Sequence, residues 1–243
     1  MDPAQGQQVP LKWALQHSNN WISASLITTL GPQQFVGILH DFGLNNPDID
    51  RNATPVLSLG PCEVSVGEMV SAYTAFANGG VRCAPLFVTK IEDSHGNVIA
   101  KFQPLMTEVI SEDNSYRMID MMRAVIDGGT GSRLKGAYGM KGDICGKTGT
   151  TNSNSDGWFI AFTPELVSGA WVGGEDRDIH FDSTSLGQGA AAALPIWAYF
   201  MKKVYADHQL GYSDKTQFAI PKDFDFCSTS EDTDVNDIQE VYF

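Results

Sequence analysis

Several things are scarce in this sequence, and each scarcity excludes something. No run of about 18 apolar residues occurs, so no membrane-spanning helix is expected within it. The nearest approach, "GAAAALPIWAYFM" at 189–201, is too short and is interrupted by Pro195. Basic charge is also scarce, with 16 Lys and Arg against 29 Asp and Glu. A chain without a basic face has little to offer a phosphate backbone, so nucleic acid is not an expected partner. Cysteine is sparse: Cys62, Cys83, Cys145 and Cys227 stand far apart with no C-x-x-C. The five histidines are equally scattered, so neither a metal site nor a metal cofactor is expected. The opening "MDPAQGQQVP" is polar and carries no secretory signal.

What is present suffices for a folded protein. The 243 residues, 42% of them hydrophobic, can bury a core as one large domain or two small ones. The net charge of −13 is unevenly placed. Residues 223–243 carry seven acidic side chains and no Lys or Arg, leaving 22 acidic against 16 basic groups before them. We therefore divide the chain into a folded part, 1–222, and an acidic, disordered tail, 223–243.

Periodicity places the elements. "VPLKWALQHSNN" predicts a helix with Leu11, Ala14 and Leu15 on one face. "GPQQFVGILHDFG" predicts another, with Phe35, Ile38, Leu39 and Phe42 at helical spacing and Gly43 at its end. The stretch "NNPDIDRNATPVLSLGPCEV" reads as a long loop. Ser65 and Glu68 form a capping box ahead of a Met69, Ala72, Tyr73, Phe76 stripe. "LFVTKIEDSHGNVIAKF" reads as a hairpin turning at 95–97, and Ser111 as the cap of a helix turning Ile119, Met122 and Ile126 inward. Three strands follow, "ICGKTGTT", "GWFIAFT" and "LVSGAWVGG". The second is apolar on both faces and so is expected at the centre of a sheet. "AAAALPIWAYFMKKVYAD" predicts a final helix. The fold class is α/β in the broad sense (α+β): an antiparallel sheet with flanking helices.

Lys147-Thr148-Gly149-Thr150, inside the first of these strands, is the first chemical candidate. A glycine in a strand allows another backbone to come close, and an extended substrate can pair along such an edge. Thr148 and Thr150 offer hydroxyls to a carboxylate and Lys147 offers the opposite charge. A surface strand with a solvated lysine is the plain alternative. The second candidate is S-x-N at Ser18-Asn19-Asn20, which taken alone is equally well a helix end. An S-x-N followed by a K-T-G forms two of the three motifs shared by penicillin-binding proteins and class A β-lactamases.

Beyond these triplets, "AYTAFANGG", "DGWFIAFTPELVSGAWVGG" and "LGQGAAAALPIWAYFMKK" occur in order within residues 9–205. With them the chain resembles the transpeptidase domain of class A (bifunctional) penicillin-binding proteins. The resemblance implies a peptidoglycan D,D-transpeptidase that cross-links stem peptides by serine acyl transfer, is the target of β-lactams and works on the periplasmic side of the bacterial inner membrane. It implies a proton-relaying hydroxyl at Ser18 and an amide-binding side chain at Asn20. Lys147 would supply positive charge, Thr148 and Thr150 a grip on the terminal carboxylate, and the Thr150 N–H an oxyanion donor beside Gly149.

One motif of the family is absent. Its nucleophile lies in an S-x-x-K several dozen residues before S-x-N, where this sequence has seventeen. The single S-x-x-K present, Ser132 to Lys135, falls in the wrong order, fifteen positions before Lys147, among glycines. It is rejected as the nucleophile. The chain is therefore expected to be a C-terminal part of its parent, incomplete at the N-terminus and inactive alone, with glycosyltransferase and membrane anchor upstream. A swapped or partner-completed oligomer would supply the missing helix. The competing readings are a non-catalytic interaction module and a β-lactamase-like hydrolase. The second lacks its usual E-x-x-x-N, since no Glu between 21 and 146 has Asn four positions later. His17 beside Ser18 reads as a surface histidine, and Cys145 as a packed strand residue.

Overall fold

The computed structural model describes residues 8–222 and 224–225. The chain opens with α1 (Leu11–Gln16), α2 (Asn20–Leu30), α3 (Pro32–Asp41) and α4 (Pro47–Arg51). A 3-10 turn over Pro55–Leu59 leads to α5 (Val66–Ala77). Helix α5 starts with the expected capping box: the Ser65 hydroxyl accepts from the Glu68 N–H and the Glu68 carboxylate accepts from the Ser65 N–H. Helices α3, α4 and α5 and the 3-10 turn close around Val36, Phe42, Leu44, Ile49, Leu57, Ala72 and Ala75.

Three sequence expectations change here. Residues 20–30, to which periodicity gives no element, form α2. Its Thr28 and Thr29 hydroxyls donate back to the Ala24 and Ser25 carbonyls at 2.8 and 3.1 Å, which lets hydroxyl residues sit in a helix. The stretch read as one long loop contains α4 and the 3-10 turn, each begun by a proline whose missing N–H costs nothing there. In α3 the buried residue is Val36, whereas Ile38 is exposed.

Two short antiparallel pairs follow: β1 (Val81–Cys83), β2 (Lys90–Glu92), β3 (Val98–Lys101) and β4 (Met106–Glu108), with β1 on β4 and β2 on β3. The β2–β3 turn is held by Asp93, whose carboxylate accepts from the His95 and Asn97 N–H groups at 2.8 Å each. Helix α6 (Glu112–Gly128) is capped by Ser111 and buries Ile119, Met122 and Ile126 as expected. After the short α7 (Arg133–Gly136) come β5 (Cys145–Thr150), β6 (Asp156–Phe162) and β7 (Val167–Gly173). They form one antiparallel sheet in the order β5-β6-β7, with β6 central and β5 at an edge.

The two sheet faces do different jobs. After the short α8 (Thr184–Gly187) and α9 (Gly189–Ala192) comes α10 (Leu194–Ala206), and Phe159 and Ala161 point to one face, where they join Ala170 and α10 in a core centred on Trp197. Phe159 and Trp197 meet edge to face at 5.7 Å. The expected single final helix is broken in two, because Pro195 fits only the first turn of α10. On the other face lie Lys147, Ile160 and Gly169 in register across the sheet. A Cβ on Gly169 would come within 2.4 Å of Ile160 Cδ1 and 3.2 Å of Val70, so only glycine lets α5 approach. No helix among the described residues is long and apolar enough to cross a membrane. Phe224 and Asp225, assigned to the tail, lie on α6, with the Arg117 guanidinium over the Phe224 ring at 5.2 Å and donating to the Asp225 carbonyl. The rest of that tail, apart from these two positions, is outside the described residues.

Candidate active site

The S-x-N triplet is the corner between α1 and α2. Helix α1 ends at Gln16, His17 caps it, and Ser18 takes a left-handed conformation at φ 52°. A non-glycine residue there carries strain, which recurs at functional sites. The Ser18 and Asn19 N–H groups donate to the Leu15 and Ala14 carbonyls at 3.2 and 2.9 Å, closing α1. The Asn19 side chain then accepts from the Ile22 N–H at 3.0 Å and opens α2. His17 stacks on Trp13 and bonds its carbonyl through Nδ1, away from the serine.

This corner brings Ser18 against Lys147, 129 positions away in sequence: the ammonium donates to Ser18 Oγ. It also donates to the Thr148 carbonyl at 2.8 Å. Burial pushes the Lys147 pKa down to about 8, because leaving water penalises the charged form. An amine poised there exchanges protons near neutral pH.

The two threonines lie on the sheet face opposite Lys147, each held by a group the motifs do not reveal. Thr148, 9% exposed, places its Oγ1 2.7 Å from Thr130 Oγ1. Thr150 Oγ1 accepts from the Gly189 N–H at 3.0 Å. Gly149 also serves packing within the sheet. Its missing side chain makes room for Trp158, whose Cβ would be 3.1 Å from an added Cβ. Asn20 begins α2 in an exposed position, and neither it nor Ser18 is among the residues that line the groove beside β5. The structure joins Ser18 to Lys147. Ser132 begins α7 and is also absent from the groove.

The groove has a volume of about 650 Å³. Lys147, Thr150 and Trp158 form one wall, and Phe35, Leu57 and Met69 belong to the apolar wall opposite. A smaller cavity, about 440 Å³, lies between α1 and α6. It contains neither serine nor cysteine, and Lys12 and Arg123 in it are already paired, with Asp120 and Asp143.

The start of β5 is fixed from α6. Arg123 grips Asp143 through Nε and Nη2 at 2.6 and 2.7 Å, and Asp143 also accepts from the Phe218 N–H at 3.1 Å. Hydrogen bonding to Asp143 raises the Arg123 pKa. Cys145 is fully buried with its thiol on the Ile119 carbonyl, and burial pushes its pKa up, so it is a packed residue as expected. Among the described residues no group of His, Cys, Asp and Glu could hold a metal ion.

A single sequence gives no warning of Thr130 or Gly189. Each is one small residue in a glycine-rich stretch, and only the fold shows what it touches.

Comparison with known proteins agrees with this geometry. A family model described as the penicillin binding protein transpeptidase domain matches residues 1–172. Penicillin-binding protein 1A of Aquifex aeolicus is 36% identical over 199 residues, covering 81% of this chain and 26% of that protein. Its namesake from Neisseria lactamica is 32% identical over 203 residues, covering 80% of this chain and 24% of that one. The crystal structure of penicillin-binding protein 1A from Haemophilus influenzae superposes with a TM-score of 0.76 at 25% identity, over 88% of this chain and 36% of that one. The chain spans about a quarter of the length of the curated relatives it matches.

Proposed function

The chain belongs to the penicillin-binding protein transpeptidase family, and on that premise we propose that it forms the substrate-side wall of a D,D-transpeptidase site. The reaction is serine acyl transfer: a serine attacks the penultimate D-alanine carbonyl of a peptidoglycan stem peptide and releases D-alanine, and an amine of a second strand takes the acyl group. β-Lactams are the corresponding inhibitors. The whole protein works on the extracytoplasmic side of the membrane, in cell-wall synthesis, with a glycosyltransferase activity of its own.

The observation that carries this reading is the Lys147–Ser18 bond. Lys147 near pKa 8 supplies charge and holds the proton that Ser18 passes toward the leaving amine. Thr148 and Thr150 receive the terminal carboxylate, and the Thr150 N–H is an oxyanion donor. The open edge of β5 gives an extended peptide a backbone to pair with. Asn20, at the exposed head of α2, contacts the peptide amide as it arrives.

Neither Ser18 nor Ser132 is the nucleophile in this reading. Ser18 is engaged by the ammonium, which makes its hydroxyl a proton carrier, and Ser132 lies off the groove. The 243-residue chain alone therefore performs no acyl transfer, and its apolar groove favours completion by a further segment, from the same protein or a swapped partner. Incubation with fluorescent penicillin tests this: no covalent adduct is expected on the isolated chain, and a stable one overturns the reading. Non-covalent titration with N-acetyl-D-alanyl-D-alanine should shift the backbone amide resonances of residues 147–150. Unshifted resonances there count against the assignment of the wall.

A further inference from the structure

Helix α6 ends in a tight turn that touches both motifs at once. A Cβ on Gly129 would lie 2.3 Å from the Gln16 carbonyl oxygen, so only glycine allows this turn to reach α1. The next N–H, that of Thr130, donates to the same Gln16 oxygen at 3.3 Å. Gln16 stands two residues before Ser18. The Thr130 side chain reaches the other way, to Thr148 Oγ1 at 2.7 Å. Its backbone is thus fastened to the helix that presents Ser18, and its hydroxyl to the first threonine of K-T-G.

A threonine hydroxyl has one proton to give and two lone pairs. Thr150 shows how the wall uses this. Its oxygen accepts from the Gly189 N–H, which can only donate, so the Thr150 proton remains for something else. Thr148 is in the same position if Thr130 donates to it: its oxygen is satisfied by the protein and its proton is left for a ligand. The opposite polarity would use up the Thr148 proton within the pair. An anionic acceptor outside the pair favours the first arrangement, because hydrogen bonds to a carboxylate are stronger than those to a neutral oxygen.

We propose that Thr130 is a positioning residue that holds the Thr148 hydroxyl as a donor toward the carboxylate of an incoming peptide, giving the wall its preference for a C-terminal acid over an amide. This deepens the carboxylate-binding reading of β5 and rests on it. The proposal concerns orientation through a second residue; Thr130 itself does not touch the ligand.

The test uses the whole 243-residue chain, labelled at threonine methyls, with N-acetyl-D-alanyl-D-alanine and its C-terminal amide as probes. The wild type should bind the acid more tightly than the amide. Thr130→Val keeps shape and removes the hydroxyl. It should weaken acid binding about tenfold, equivalent to about 1.4 kcal/mol, and leave amide binding unchanged. It should also release Thr148 from a single χ1 rotamer, read from three-bond couplings to its methyl carbon. Thr130→Ser should restore both the rotamer and the acid preference, which separates positioning from a general loss of fold. Retention of the acid preference in Thr130→Val, or an unaltered Thr148 rotamer, overturns the proposal. A wild-type chain that takes acid and amide alike overturns the carboxylate reading and the proposal with it. The two failures are distinguishable, since failure of Thr130 alone leaves the wild-type preference intact.

Discussion

The sheet and helix α2 are built on different terms. In the sheet, Phe159 and its neighbour Trp197 are 0% and 2% exposed, and the strands and α10 share one closed core. Helix α2, which does not line the groove, buries only Ile27, while Trp21 is 67% and Leu26 48% exposed. The sheet satisfies its own apolar groups; α2 holds much of its apolar surface open. The sheet that carries Lys147 is packed on a closed core, and α2 is joined to α1 at the Ser18 corner.

That contrast can be broken most forcefully from the core. Phe159→Ala should cost about 3–5 kcal/mol by leaving a cavity under the sheet, measured by urea denaturation. Trp21→Ser should change stability by less than about 0.5 kcal/mol. Comparable losses from both would show that α2 is as self-sufficient as the sheet. Arg123→Met comes next, at about 3 kcal/mol, because it leaves the Asp143 carboxylate buried without its partner. Slower amide exchange at Cys145 and Gly146 in that variant would disprove the anchoring of β5.

Lys147 sharpens the comparison in the opposite direction. Its folded pKa, about 8, lies below the ordinary 10.5. Below about pH 8 the amine is charged in both states and folding carries the desolvation penalty. Between pH 8 and 10.5 the unfolded chain binds more protons, so stability rises with pH. Lys147→Met should add about 1–3 kcal/mol at pH 7 and flatten that rise, seen as melting temperature against pH. A smaller gain is expected from Ser18→Gly, which should add about 0.5–1 kcal/mol by relieving the left-handed serine while removing the hydroxyl that Lys147 bonds. Destabilisation would mean that the bond outweighs the strain.

Local chemistry was legible in the sequence. The Ser65–Glu68 box, the Ser111 cap and the alternation of Trp158 to Phe162 each depend on neighbours within a few residues, and all three appear as read. Helix α2 escaped because its isoleucines, serines and threonines suit a strand as well, and its capping residue Asn19 lies inside the S-x-N motif. The pairing of Ser18 with Lys147 spans 129 positions, beyond any periodicity, and only the family likeness brought the two motifs together. Thr130 and Gly189 were out of reach for a different reason. Their roles arise from where two loops land, which residue type does not encode.

The left-handed serine between α1 and α2 has a mechanical meaning. The residue that sets the angle between two helices is the same one whose oxygen meets the ammonium of β5. Tilting α2 and displacing that oxygen are therefore one motion, so the angle between the helices and the Ser18–Lys147 contact share a single coordinate.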